Sequence, residues 1–324
     1  MTALPGAGRS GAVAVVVVVA AVVFAFCCGP GGLGPPDSAT VSLRLSRVAL
    51  GFVVGGALSA VGAALQALLR NPLADPYVLG VSGGAAMGAS LFTAMLGAAP
   101  STLMLSVGLP GAGVVGALGA SALLVLFVAH DSAVGGRGEG TVLVGIVLNA
   151  FSWAVVAVVR ALVPASSSAG LSVWLIGSIG YPDTVALIVA GGVTVLGVLA
   201  LWAVSGSLSI LRGGDEEASR LGVDVARVRV VVVCAASALV GVAVGTSGVI
   251  GFVGLLVPHA VRRVFTVDER GVIPLSALLG GGLLCAFDGV ARLGFGIFGS
   301  EIPVGAACAL LGAPAFAVLL WRSR

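Results

Sequence analysis

Apolar runs of about 20 residues recur along almost the whole of this 324-residue chain, and nothing else constrains its fold as strongly. A helix of that length covers the roughly 30 Å hydrocarbon core of a bilayer. Within that core, only structures that satisfy their own backbone hydrogen bonds are viable. Only 9% of the residues are charged, against about 25% in a soluble domain. The chain therefore reads as a single all-α, polytopic membrane domain over residues 1–324, with no soluble unit large enough to fold by itself.

The runs define the topology. The first, about 11–28, follows Arg9; its length and the lack of a small-x-small cleavage site favour a retained helix over a signal peptide. Others cover approximately 48–69, 77–97, 103–129, 141–163 and 184–204. A charged stretch, about 212–229, comes next. The apolar run from Val230 to Pro258 has arginines at both ends, so it reads as two spans with a turn at Gly245-Thr246-Ser247-Gly248. Spans at about 272–295 and 303–321 complete ten transmembrane helices. With both termini cytoplasmic, 12 of the 16 arginines lie inside, as the positive-inside rule asks. Arg44, Arg47, Arg160 and Arg292 break the rule.

Several chemistries are excluded. The chain has no lysine, so it cannot form a GxxxxGK[ST] phosphate loop and cannot itself be a standard ATPase. Its five cysteines lie in or beside apolar runs without a C-x-x-C and read as small hydrophobes. No His, Cys or carboxylate cluster has metal-ligand spacing, so no bare metal ion is expected to be held. No loop brings together a nucleophile, a base and an orienter, which argues against a membrane enzyme.

The polar interruptions are where function is to be sought. Between the second and third runs, Asn71-Pro72 and Asp75-Pro76 form a hinge. The small residues from Ser82 to Gly88 follow it and allow close helix packing. Gly51/Gly55, Gly84/Gly88 and Gly241/Gly245 are further small-x-x-x-small faces. Gly213-Gly214 break a helix, and Asp215 can cap a new one with Glu216 and Glu217 in its first turn. Ala218, Leu221, Val225 and Val228 then recur at helical spacing. This predicts a short amphipathic helix, either docking a soluble partner or lying on the bilayer. Pro258 and His259 end a span ahead of two arginines. Asp288 and Arg292 stand at i, i+4 as an internal pair. Asn149, Ser152 and Arg160 line a path or hydrogen-bond between helices.

Four segments, NPLADPYVLGVSGGAAMGA, DEEASRLGV, GVIGFVGLLVPHAVRR and EIPVGAACALLGAPAFAVLL, together resemble the signature segments of FecCD-type permeases. These are the membrane subunits of ATP-binding-cassette (ABC) importers for ferric siderophores, haem and vitamin B12. The resemblance runs from about Leu43 to the C-terminus, in order and spacing. It implies a type II ABC importer architecture in a bacterial plasma membrane, with a second permease subunit, identical or paralogous. It also implies a pair of ATPase subunits, which hold ATP and Mg²⁺, and an extracytoplasmic binding lipoprotein; no cofactor is bound by this chain. By the same resemblance, Asp215, Glu216, Glu217, Ala218, Leu221 and Gly222 couple to the ATPase. Arg44 and Arg47, in Arg-Leu-Ser-Arg where the family has Arg-Leu-Pro-Arg, would dock the binding protein with Arg292. Asn71, Pro72, Asp75, Pro76, Ser82, Asn149, Ser152, Pro258 and His259 are the hinge and pathway candidates. The family's gate falls near 138–141, where no residue is assigned. A ferric siderophore is the expected cargo, with haem or vitamin B12 as alternatives. A proton-coupled carrier using Asp288 is the alternative of another class.

Overall fold

A computed structural model describes residues 7–29, 31–96, 108–133, 139–163, 172, 174–265 and 267–321. Of the expected gate segment, 138–141, residue 138 lies outside them, and residues 139–141 begin a helix. All ten apolar runs carry a helix. They are α1 (Ala7–Cys27), α2 (Val41–Leu68), α3 (Val81–Leu96), α4 (Leu109–Ala133), α5 (Glu139–Leu162) and α6 (Thr184–Ala203), then, after two short helices, α9 (Val225–Ser247), α10 (Val253–Val264), α11 (Glu269–Leu293) and α13 (Val304–Trp321). The short helices are α7 (Ser205–Leu211) and α8 (Asp215–Arg220), with α12 (Phe295–Phe298) ahead of α13. A two-residue antiparallel ribbon, β1 (Cys28–Gly29) with β2 (Gly32–Leu33), closes the end of α1. Local chemistry starts several helices. Asp183, Asp224 and Asp268 each accept a backbone N–H three residues on, capping α6, α9 and α11.

Five helices are long and apolar enough to cross a membrane, and four shorter apolar helices accompany them among the described residues. Three departures from the expected spans matter. α2 begins at Val41 rather than 48, so Arg44 and Arg47 belong to the helix. α9 runs through Ser247, and the turn falls at 248–252, opened by Gly248 at φ 70°. α10 has only 12 residues; at 1.5 Å per residue it covers about 18 Å, less than a full crossing.

α2 is the axis of the bundle, with 83% of its apolar window buried. Small residues permit this. A methyl group at Gly55 would lie 2.3 Å from the Gly280 carbonyl oxygen of α11, and one at Gly62 1.8 Å from that of Gly254 in α10. Gly84 and Gly88 of α3 meet Gly116 of α4 in the same way. α1 lies on α11, where Gly282 and Gly289 admit Val18 and Phe24. α5 and α6 are peripheral, with 22% and 17% of their windows buried. Leu196 and Ile188 of α6 point outward, as lipid-facing residues do.

The hinge after α2 is a compact, internally bonded turn. Arg70 has φ 50°. Asn71 Oδ1 accepts from Leu73 N at 2.9 Å, and Asp75 Oδ1 accepts from Tyr77 N at 2.9 Å. Pro76 opens a single 3₁₀ turn, Pro76–Leu79, with its φ already suited to it. Gly80, at φ 75°, turns the chain into α3. Tyr77 donates its hydroxyl to the Ile250 carbonyl, tying the hinge to the turn ahead of α10.

Burial pushes the Asp75 carboxyl up to about 6. A raised folded value means that its contribution to stability is full below the ordinary carboxylate range and is lost as pH rises through about 6. Asp75→Asn keeps the oxygen that accepts from Tyr77 N and removes the charge. Thermal melts in detergent at pH 5 and pH 7.5 are therefore expected to differ by about 1 kcal/mol less for Asp75→Asn than for the unchanged protein.

Candidate functional site

Charged residues gather at the two ends of α2, which is about 42 Å long by its 28 residues. At the first end lie three of the four rule-breaking arginines. Arg47 donates to both oxygens of Asp288, from Nε at 3.2 Å and from Nη2 at 3.0 Å. Its Nη1 reaches Glu301 at 2.9 Å and the Tyr181 hydroxyl at 3.1 Å, and the guanidinium stands over the Tyr181 ring. Arg292 Nε meets the other side of Asp288 at 3.0 Å. Its two terminal nitrogens donate to the carbonyls of Ala25 and Cys28. Arg44 donates to the carbonyls of Phe26 and Gly34. Two arginines thus satisfy carbonyls at the end of α1, where the helix dipole favours cations.

This geometry corrects the docking expectation. Arg47 and Arg292 are 5% and 2% exposed, and Asp288 is 1% exposed. Charges so deeply buried need full pairing, and these have it, inside the chain. Neither guanidinium faces a protein arriving from outside; of the three arginines only Arg44 is half-buried. The expected Asp288–Arg292 pair is present, but as part of a larger cluster. Glu301 and Tyr181 were not foreseen as members. A charge count would have pointed to Glu301, since two buried arginines need two carboxylates.

At the other end, α2 meets α7, α9, α10 and α11, and Arg70, just beyond it, reaches α8. Arg262 of α10 donates to Gln66 Oε1 at 2.7 Å and to the Ala63 carbonyl at 3.0 Å, and Gln66 Nε2 donates to the Leu255 carbonyl at 3.2 Å. Glu269 pairs with Arg212 and, at 3.4 Å, with Arg262. Asp215 pairs with both Arg70 and Arg229.

The predicted amphipathic helix also needs correction. Asp215 is not its cap. Gly214, at φ 130°, holds that position without a side-chain bond, and Asp215 is the first helical residue. The helix ends at Arg220, and the chain turns at Gly222, φ 83°, before α9 begins. Ala218 and Val228 are buried but belong to different helices, and Leu221 is 65% exposed. Glu216, Glu217, Leu221 and Gly222 form the outward surface of α8 and its turn.

The hinge and pathway candidates lie on several elements. Asn71 and Pro72 are exposed at the hinge, while Ser82 is buried in α3. Asn149 and Ser152 pack against Gly83 of α3, and Asn149 Oδ1 is buried without a partner. Arg160 donates to Ser172. Pro258 is buried in α10, and His259 meets Phe316 of α13 edge-on, with ring centroids 5.7 Å apart. Among the described residues, no group of three or more His, Cys, Asp or Glu could hold a metal ion.

A helical bundle of this length and apolarity, with a short helix between two spans, is a polytopic membrane domain. Comparison with known proteins makes the assignment specific. The chain belongs to the FecCD transport family, whose profile matches residues 18–322. It is 37% identical over 306 residues to the uncharacterized ABC transporter permease YvrB of Bacillus subtilis, covering 90% of this chain and 82% of that one. It is 37% identical over 288 residues to the hemin transport permease HmuU of Yersinia pestis, covering 88% and 83%. It is 38% identical over 298 residues to the cobalamin import permease BtuC of Halobacterium salinarum, covering 89% and 75%. Among solved structures, a metal-chelate type ABC transporter in an inward-facing conformation superposes with a TM-score of 0.85 at 27% identity, covering 97% of this chain and 99% of that one. The protein is thus a permease of the FecCD transport family, and the relatives above are named for ABC transport, hemin transport and cobalamin import.

Proposed function

We propose that this chain forms the membrane pathway of a bacterial importer for a ferric siderophore. A binding protein delivers the chelate, and separate ATPase subunits drive its passage. The observation that carries the reading is α8. It is a six-residue helix set off by glycine breaks, anchored by the fully buried Ala218, and it presents Glu216, Glu217 and Leu221 outward. Such a surface suits a protein groove better than an anionic membrane. The arginine-rich end, with α8, is the cytoplasmic one by the positive-inside rule, which places both termini there. Of the three arginines expected to dock a binding protein, half-buried Arg44 is the one within reach of such a partner. A second permease subunit, identical or paralogous, completes the pathway. The relatives above are named for hemin and cobalamin, each a metal wrapped in an organic ligand, and a ferric siderophore has the same character.

The rival carrier would need a carboxylate free to exchange a coupling ion. Asp288 is instead committed to two guanidinium groups, each at 3.0 Å. The direct test is uptake of radio-iron-loaded siderophore into membrane vesicles containing the assembled importer. Uptake is expected to require ATP and the binding protein and to be abolished by vanadate. Transport that persists without any ATPase subunit would overturn the proposal.

A further inference from the structure

α8 has six residues, too few to hold a helix by its own hydrogen bonds. Glycines with positive φ flank it, Gly214 at 130° and Gly222 at 83°. Each is a swivel that transmits little force, because glycine moves freely among backbone conformations. Buried Ala218 seats α8 on the bundle, but apolar packing alone can slide, and a directional pull on the bundle needs a charged side chain that ties the helix to it.

Asp215 supplies that tie. One oxygen takes Arg70 and the other takes Arg229. Arg70 follows the end of α2 in a left-handed backbone conformation, φ 50°, that a non-glycine residue seldom adopts. Arg229 stands near the start of α9 with its side chain 11% exposed. A single carboxylate therefore joins the docking helix to the ends of two membrane helices, one of them the axis of the bundle. Exposed ion pairs add little to stability. Here what counts is position, since a contiguous, charge-paired contact is what carries displacement from one element to another.

We infer that Asp215 is the transmission joint of this permease, a positioning residue that converts movement of α8 into movement of α2 and α9. The inference rests on the importer reading above. Its test uses the importer assembled in proteoliposomes from this chain, its ATPase and its binding protein, with radiolabelled ferrichrome, haemin and cyanocobalamin as probes. Asp215→Asn is expected to keep the ATPase bound and hydrolysing within about twofold of normal, while uptake per ATP falls at least about tenfold, the worth of one strong contact. Arg70→Ala should lower the same ratio by less, and the double variant should be no worse than Asp215→Asn, because Asp215→Asn already weakens the connection to Arg70 along with that to Arg229. Asp215→Glu, which keeps the charge, should restore most of the ratio.

An unchanged uptake per ATP in Asp215→Asn overturns the inference. So does a fall in uptake matched by loss of bound ATPase or by an equal fall in hydrolysis, since Asp215 would then serve docking or folding. Failure of the importer reading looks different: the unaltered complex would carry none of the three probes with its ATPase bound. Normal uptake by the unaltered complex together with an unaffected Asp215→Asn variant sinks the joint alone.

Discussion

Asp288→Asn is expected to destabilise the folded protein by about 3–5 kcal/mol, the cost of removing one partner from a buried ion pair. The carboxylate accepts from Arg47 on one side and Arg292 on the other, and all three residues are at most 5% exposed. Its loss leaves two buried positive charges, of which only that of Arg47 still meets a carboxylate, Glu301. That is a large part of the 5–15 kcal/mol by which domains are commonly stable. The expected readout is a collapse of monodisperse protein in size-exclusion chromatography and a strongly lowered melting temperature in detergent. Asp288→Asn combined with Arg47→Met should recover much of the loss, because one charge of each sign is removed while Arg292 keeps the carbonyls of Ala25 and Cys28. Glu301→Gln should cost less than about 1 kcal/mol, since that side chain is 35% exposed. An unchanged melting temperature for Asp288→Asn would show that the cluster does not hold α1, α2 and α11 together.

Gly62→Ala is expected to be about as damaging, for a steric reason. The added methyl would lie 1.8 Å from the Gly254 carbonyl oxygen, where real contacts are essentially never under 3.0 Å. α2 and α10 must then separate, which strains the bonds joining Gln66 to Leu255 and Arg262 to Gln66 and Ala63. About 3 kcal/mol is expected, the upper part of the range for overpacking a core. Gly191→Ala is the control. It lies in α6 with nothing within 4 Å of the added methyl, so it should be neutral or stabilising by up to about 1 kcal/mol. Equal melting temperatures for the two variants would refute the close approach of α2 to α10.

The division between what could be read from the chain and what could not follows the range of each interaction. The hinge was legible because Asn71, Asp75 and Pro76 act on backbone groups within two residues of themselves. The break before α8 was legible from Gly213-Gly214. The split between α8 and α9 was not, because the apolar spacing of Ala218, Leu221, Val225 and Val228 runs straight across Gly222. Gly222, at φ 83°, and the Asp224 cap together separate the two helices. The outer arginines were legible as exceptions but not in their roles. Arg47 lies 241 residues from Asp288 along the chain, and spacing carries no information over that distance.

The sequence by itself determined the membrane class and the order of the ten apolar runs that carry helices. Each depends on the length of an apolar run or on a glycine, proline or cap acting on its neighbours. Tertiary structure alone decided which way the charges face. Arg47 and Arg292 are turned inward because α2 starts early and α11 packs along it through glycine, bringing Asp288 between them. Asp215 is held rather than free because the end of α2 and the start of α9 converge on it. In both cases, burying an arginine is tolerable only where the fold delivers a carboxylate to meet it, and that delivery depends on how the helices pack.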